Sequence, residues 1–577
     1  MERVSLSRSR IWVTGLLLCA SLFVHAQQEN LFSKEVSDAY ESALSLNDQR
    51  KYFKAYQAMK DVVNALDVEL QQRGMTEAGK NLSDMDFQYL YWPANKSFGE
   101  IAYAVGLQVE MEKVSAKLRK LIQQRYGEGT AGLTDDAQDD TSLAWRDGYL
   151  AEVDKIDAGR YFLTGEYEKA IQALQDALER QPYMTEFVYK VQDEIAQNYY
   201  ALEDYPQTLH YLDQCLASGA FDEDARHGGE QTDYYHILSQ RALCLARLGR
   251  YDEAKQDIVK VERWMKLQKD PQGYAETLRK KAKILLLEYD KTGRYDDRIP
   301  SYYREYLSIA RNYIDAHFIE MDESQREQYW LAEQPFVTDC YRLEDKAPAM
   351  LYDVALFSKA VLLQMGRDFT STMTQEQRKT ALAAIRMDWK TVWRKMPQSS
   401  TAIEFISYPK DGKPHMAAVV LNKKRNLPIF IDIAPLEKIA TQKLNEGLTV
   451  KEALASLGGT EKDVLYGDSI LPELLWNEQL VQAIGDSHDV YFAADGIFHQ
   501  LAIEYLLPSS LSNKNFHRLT STRMLTAPHR PFRSDSMLLC GGVDYTASYE
   551  QTEYDSLEND RQAYVSLASQ NIALPYF

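Results

Sequence analysis

Cysteine and histidine are the residue types here whose pairing would do the most demanding chemistry. A thiolate attacks a carbonyl once a nearby imidazole has taken its proton and backbone N–H groups await the oxyanion. The chain holds five cysteines and ten histidines. Cys540 closes an apolar, strand-like run, and His499, His517 and His529 lie in the same part of the sequence. His227-Gly228 sits in a polar loop with no apolar strand before it, and His210 and Cys215, on one predicted helix, point about 140° apart. None of these is read as a nucleophile with its base. Metal and phosphate chemistry fares no better: the sequence has no Cys-x-x-Cys, no His-Glu-x-x-His, no clustered histidines and no Gly-x-Ser-x-Gly. Gly458-Gly459 and Gly541-Gly542 lack the glycine and lysine that complete a phosphate cradle. The acidic stretch Glu128 to Thr141, with Asp135, Asp136, Asp139 and Asp140, lacks the ligand alternation and closing glutamate of a calcium loop and reads as a solvated linker. No catalytic residue, metal site or cofactor is predicted.

The elements that would position any site follow from composition and period. At 577 residues there is room for three or four domains of about 150, and 45% hydrophobic with 11% aromatic residues fills cores rather than a disordered chain. Lys+Arg 66 against Asp+Glu 85 gives a net charge of -19 without a basic run, which excludes nucleic acid as an expected partner. Few glycines and prolines beside 38 tyrosines suit long helices. Arg3, Arg8 and Arg10 precede an apolar stretch from Ile11 to Val24, and Val24-His25-Ala26 supplies cleavage positions before Gln27. This predicts a signal peptide over 1–26 and an exported chain, periplasmic or secreted. Leu18-Cys19 lacks the small residue that precedes a lipidated cysteine, and no later segment is apolar enough to span a membrane. Cys215, Cys244, Cys340 and Cys540 are too scattered for a disulfide framework; buried thiols are expected, with a Cys215 to Cys244 bridge as the alternative.

The first 360 residues repeat. Aligned on Tyr161, Tyr199 and Leu245, an aromatic follows at +6 (Tyr167, Tyr205, Tyr251) and a small residue at +9 (Ala170, Thr208, Ala254). Further positions recur at +13 (Leu174, Leu212, Ile258) and +16 (Ala177, Cys215, Val261), with alanine three residues before each anchor (Ala158, Ala196, Ala242). Leu46, Tyr52, Ala55, Met59 and Val62 fit too, and Tyr289, Gly293 and Tyr295 begin a looser copy. The pattern predicts antiparallel helix pairs with alanine where helices approach closely. It resembles the tetratricopeptide repeat, with anchors spaced 38 and 46 residues apart. That resemblance implies a solenoid over 27–310 whose groove holds a protein or peptide, with Phe162, Asp193, Gln197 and Tyr200 directed towards it. The lysine, asparagine and arginine of a carboxylate clamp are missing from those positions.

A helical connector is expected over 311–400, including the apolar run Val354 to Leu363. Beyond Trp389 the period becomes two. Ala402–Tyr408, Met416–Leu421 and Leu427–Ile433 read as an antiparallel meander, followed by helices near Pro435–Asn445 and Pro472–Ile484. Asp489–Ala494 and Ile497–Leu501 then read as strands around Asp495-Gly496, making an α/β domain over 401–577. The ordered stretches Leu351-Tyr352-Asp353, Leu356-Phe357-Ser358-Lys359-Ala360, Ala402-Ile403-Glu404-Phe405, Leu475-Trp476, Val490 to His499, Ile503-Glu504-Tyr505-Leu506, Arg518 to Arg523 and Leu538 to Tyr545 resemble the CHAT domain, a caspase-like peptidase module. Members that cleave proteins carry a His-Gly after one strand and a Ser-Ala-Cys after the next, both beyond the glycine pair matched by Gly541-Gly542. Only 35 residues follow Gly542, with no histidine or cysteine, and a single βαβ unit takes about 30 or more. The resemblance gives neither Cys540 nor His499 a catalytic role. The expectation is therefore a helical solenoid plus an incomplete caspase-like α/β domain, acting as an interaction scaffold and catalytically silent. The alternative is a fragment of an active cysteine endopeptidase whose repeats recruit substrate or activator.

Overall fold

The computed structural model describes residues 31–48, 51–127, 137–182, 185–218, 221, 229–318, 321, 323–359, 374, 386–410, 412–456 and 460–526. The signal peptide, His227-Gly228, His529, Cys540 and Gly541-Gly542 lie outside them. The chain divides into two compact units, Met1–Tyr183 and Met184–Phe577.

The first unit is helical. Its longer helices are α1 (Lys34–Asp48), α2 (Tyr52–Gln72), α3 (Trp92–Val105), α4 (Gln108–Tyr126), α5 (Ala137–Leu163) and α6 (Tyr167–Arg180). The expected linker over Glu128 to Thr141 is corrected at its end: residues 137–141 open α5. In the second unit α7 (Thr185–Ala201) pairs with α8 (Tyr205–Leu216), α9 (Gly229–Arg247) with α10 (Tyr251–Gln268), and α11 (Pro271–Thr292) with α12 (Ile299–His317). α13 (Glu323–Tyr341), α14 (Pro348–Ser358) and α15 (Trp389–Lys395) lead into the sheet.

One turn closes three of these pairs. The amide at +5 donates to the anchor carbonyl: Glu166 to Tyr161 at 2.9 Å, Asp204 to Tyr199 at 2.9 Å, Arg250 to Leu245 at 2.8 Å. The amide at +4 donates to the carbonyl at +1, and residue +4 is left-handed in each case: Gly165 at φ 75°, Glu203 at 59°, Gly249 at 78°. This is the Schellman closure of a helix end. Lys51 makes the +5 bond to Leu46 at 2.9 Å, whereas Gly293 closes α11 by a shorter bond to Tyr289, as befits the looser copy. The small residues Ala158, Ala196, Ala242, Ala170, Thr208 and Ala254 are all buried, as are the larger residues at +13.

Strands β1 (Ser400–Lys410), β2 (Lys413–Asn422) and β3 (Ile429–Pro435) form the expected antiparallel meander. With β4 (Asp489–Ala493) and β5 (Asn515–Leu519) they make a sheet of order β3-β2-β1-β4-β5, parallel from β1 through β5. Alternate β1 residues serve two cores. Ala402, Ile406 and Tyr408 join the helices before the sheet, while Ile403 and Phe405 join Trp476 and the short helices after β3. Burial on both faces explains the long apolar runs. The expected strand at Ile497–Leu501 is not one: Gly496–His499 is a 3₁₀ turn. Asp495 causes this, because its carboxylate accepts from both Ser407 N and Gly496 N, both at 2.9 Å, and Gly496 turns the chain at φ 52°.

Because a Cβ at Gly249 would meet nothing within 4 Å, substitution there reports backbone strain alone. Gly249→Ala should cost about 1 kcal/mol and Glu203→Gly should gain up to about 1 kcal/mol, read as opposite shifts of the urea midpoint.

Candidate functional site

The three predicted groove residues of the second unit lie on α7, and the structure joins them to its neighbours. Asp193 accepts from Gln197 Nε2 at 2.9 Å and from Gln240 Nε2, on α9, at 3.1 Å. Burial, with Glu194 and Asp233 nearby, raises the Asp193 carboxyl to about 7. Tyr200 stacks edge-on with Tyr205 at 5.4 Å and bonds to Arg247 of α9. Phe162 belongs to the first unit, where it is 3% exposed and packs edge-on against Tyr167 inside its own hairpin.

The ladder of side-chain bonds continues beyond α7. On α9, Ser239 accepts from Lys280 Nζ of α11 at 2.8 Å. Lys280 is 7% exposed, and burial lowers its pKa although Glu276 stands 3.9 Å away. His236 is pushed down to about 4 by burial and by the Lys280 charge, so its ring is neutral at neutral pH. From α11, Arg279 and Lys283 reach Asp339 of α13 at 3.2 and 3.5 Å. Farther along α13, Glu333 accepts from Tyr306 OH at 3.0 Å and is raised by burial to about 7. The sequence reading named none of these α9 and α11 residues. The signal was present: Asp193 stands six residues before its anchor, and the same offset from Leu245 and Tyr289 gives Ser239 and Lys283.

The described cysteines are free buried thiols, not a bridge. Cys215 Sγ donates to Tyr189 O at 3.3 Å and Cys244 Sγ to Tyr205 O at 3.2 Å. Burial raises all three, Cys244 to about 12, which disfavours the thiolate a nucleophile needs. His210 bonds Gln214 at 3.0 Å, and His499 is exposed on its 3₁₀ turn.

Several stretches quoted from the α/β part converge on one buried charge. Glu404, wholly buried on β1, accepts from Ser521 Oγ at 3.1 Å and from Thr522 N and Oγ1 at 2.6 Å. Its second oxygen lies 2.8 Å from Lys359 Nζ, which also donates to the carbonyls of Phe405 and Ala493. Tyr352 OH meets Thr522 Oγ1 at 2.7 Å, and Arg523 donates to the carbonyls of Leu356 and Lys359. This cluster fastens α14 and residues 521–523 to the sheet: Glu404 Oε1 takes three hydrogen bonds and Oε2 faces the Lys359 ammonium.

No family model matches the chain, and no curated protein matches it. Among the described residues no group of three or more His, Cys, Asp or Glu could hold a metal ion, and no helix is long and apolar enough to cross a membrane.

Asp193 and Glu333 bind protons more tightly folded than unfolded, so stability is greatest below about pH 4 for these groups and is lost as pH rises to about 7. Glu333→Gln should match wild type near pH 4 and exceed it at pH 8 by about 1–3 kcal/mol. Urea unfolding at the two pH values checks this.

Proposed function

We propose that this chain is an exported scaffold of tetratricopeptide-repeat type that holds a segment of a partner protein against the first helices of its hairpins. The observation that carries the reading is the row of polar contacts along these helices: Asp193 with Gln240, Ser239 with Lys280, and Arg279 and Lys283 with Asp339. Close-packed hairpins need only apolar and small residues between them, so charged and amide side chains on one face need another purpose. The α7 and α9 hairpins also share one closure, which places the same offsets on the same face of each. In this reading the sheet, similar to the front of a CHAT domain, serves as a folded terminus for the array. Cleavage is not part of the proposal, because the described thiols are buried, raised in pKa and bonded to backbone carbonyls.

A photocrosslinking residue at Leu243, half-buried two positions before its anchor, should give discrete protein adducts in the native compartment. The same residue at Lys260, exposed on α10, should give none. Adducts from position 260 but not 243 would remove the groove reading. Export is checked separately: the N-terminus of the recovered protein should be Gln27.

A further inference from the structure

We propose that Asp193, Gln197 and Gln240 form an acceptor site for a basic side chain, arginine or lysine, carried by an extended segment of the partner protein. This rests on the groove reading above and adds the chemistry of the partner.

An ionised carboxylate has no hydrogen to donate. It accepts hydrogen bonds only, so both glutamines turn Nε2 towards Asp193, at 2.9 and 3.1 Å. Their Oε1 atoms then point away, and among the described residues neither makes a hydrogen bond. Asp193 therefore receives two neutral N–H donors and no bond from a lysine or arginine, which leaves a half-buried charge without a bonded counter-ion. A second observation comes from α9. The His236 ring makes no hydrogen bond among the described residues, and a neutral imidazole offers one acceptor nitrogen. Amide oxygens and a carboxylate suit a donor-rich cation.

The surrounding charges agree with this sign. Glu194 on α7 and Asp233 on α9 are acidic and raise the Asp193 pKa, and the Cys215 thiol of α8 stays protonated. Lys280 of α11 is the cation facing the group. It donates to Ser239 and has Glu276 at 3.9 Å.

The site also changes with pH. A protonated Asp193 has an O–H that needs an acceptor, and a glutamine supplies one when its amide is reversed. One amide then turns over, presenting a donor to the groove in place of an acceptor while the charge disappears. With Asp193 ionising near 7, affinity for a basic segment rises as pH passes upward through that value; His236, near 4, stays neutral across the same window.

The test is panning of phage-displayed random dodecapeptides on the immobilised mature chain at physiological salt. Wild type, Asp193→Asn and the charge-matched control Asp252→Asn, at an exposed α10 position, are compared at pH 8 and pH 6. Wild type and the control should select arginine or lysine at one aligned position, with recovery about tenfold above Asp193→Asn at pH 8 and a smaller excess at pH 6. In the Asp193→Asn variant the introduced amide donates to one glutamine oxygen and so copies the protonated state. Peptides selected equally by wild type and Asp193→Asn, with no basic position, would overturn the acceptor site and leave the groove standing. No peptide recovered above carrier protein by any of the three would overturn the groove and the acceptor site together.

Discussion

The closure of four helix pairs by a left-handed residue four places beyond the anchor, at Gly165, Glu203, Gly249 and Gly293, is the constraint from which the helical part follows. It fixes where one helix stops and the next begins, and so fixes the rotational phase of both. Once phase is fixed, a position counted from the anchor always faces the same neighbour. Ala158, Ala196 and Ala242 meet a packed helix for that reason, and Asp193, Ser239 and Lys283 share the bonded face for the same reason.

The helical repeat was legible because its information is local. An aromatic, a small residue and two apolar or small ones at fixed offsets are visible within twenty consecutive residues, and the first three strands were legible by their period of two. Glu203 was harder to read, since its place in a left-handed turn follows only from alignment with Gly165 and Gly249. The template places Asp193 on the groove face of one repeat, and the same offset in the next two gives Ser239 and Lys283; Lys280, nine residues before Tyr289, falls outside it. Ile497–Leu501 was misread because apolar content alone does not make a strand. Asp495, bonded to an amide 88 positions earlier in the chain, turns it instead. That bond is a tertiary fact without a local trace.

The two buried ionic systems of the second unit differ in what they leave over. Around Glu404 the carboxylate charge is met by the Lys359 ammonium and by three hydrogen-bond donors, so the cluster is a fastening. Along the first helices, Asp193 is met by neutral amides and His236 by no hydrogen bond among the described residues, so polar capacity remains on that face. The contrast lies in stoichiometry more than in residue type: both systems use carboxylates and lysines, and only one is balanced internally.

The Lys359 to Glu404 contact also bears on where this protein can be cut into parts. The two residues lie on either side of residue 400, where the strands begin and where a domain boundary would be drawn by eye. A piece beginning at β1 would keep a carboxylate buried in its sheet while discarding the ammonium opposite it, along with the carbonyls that Arg523 uses. The smallest piece able to hold the sheet therefore includes α14.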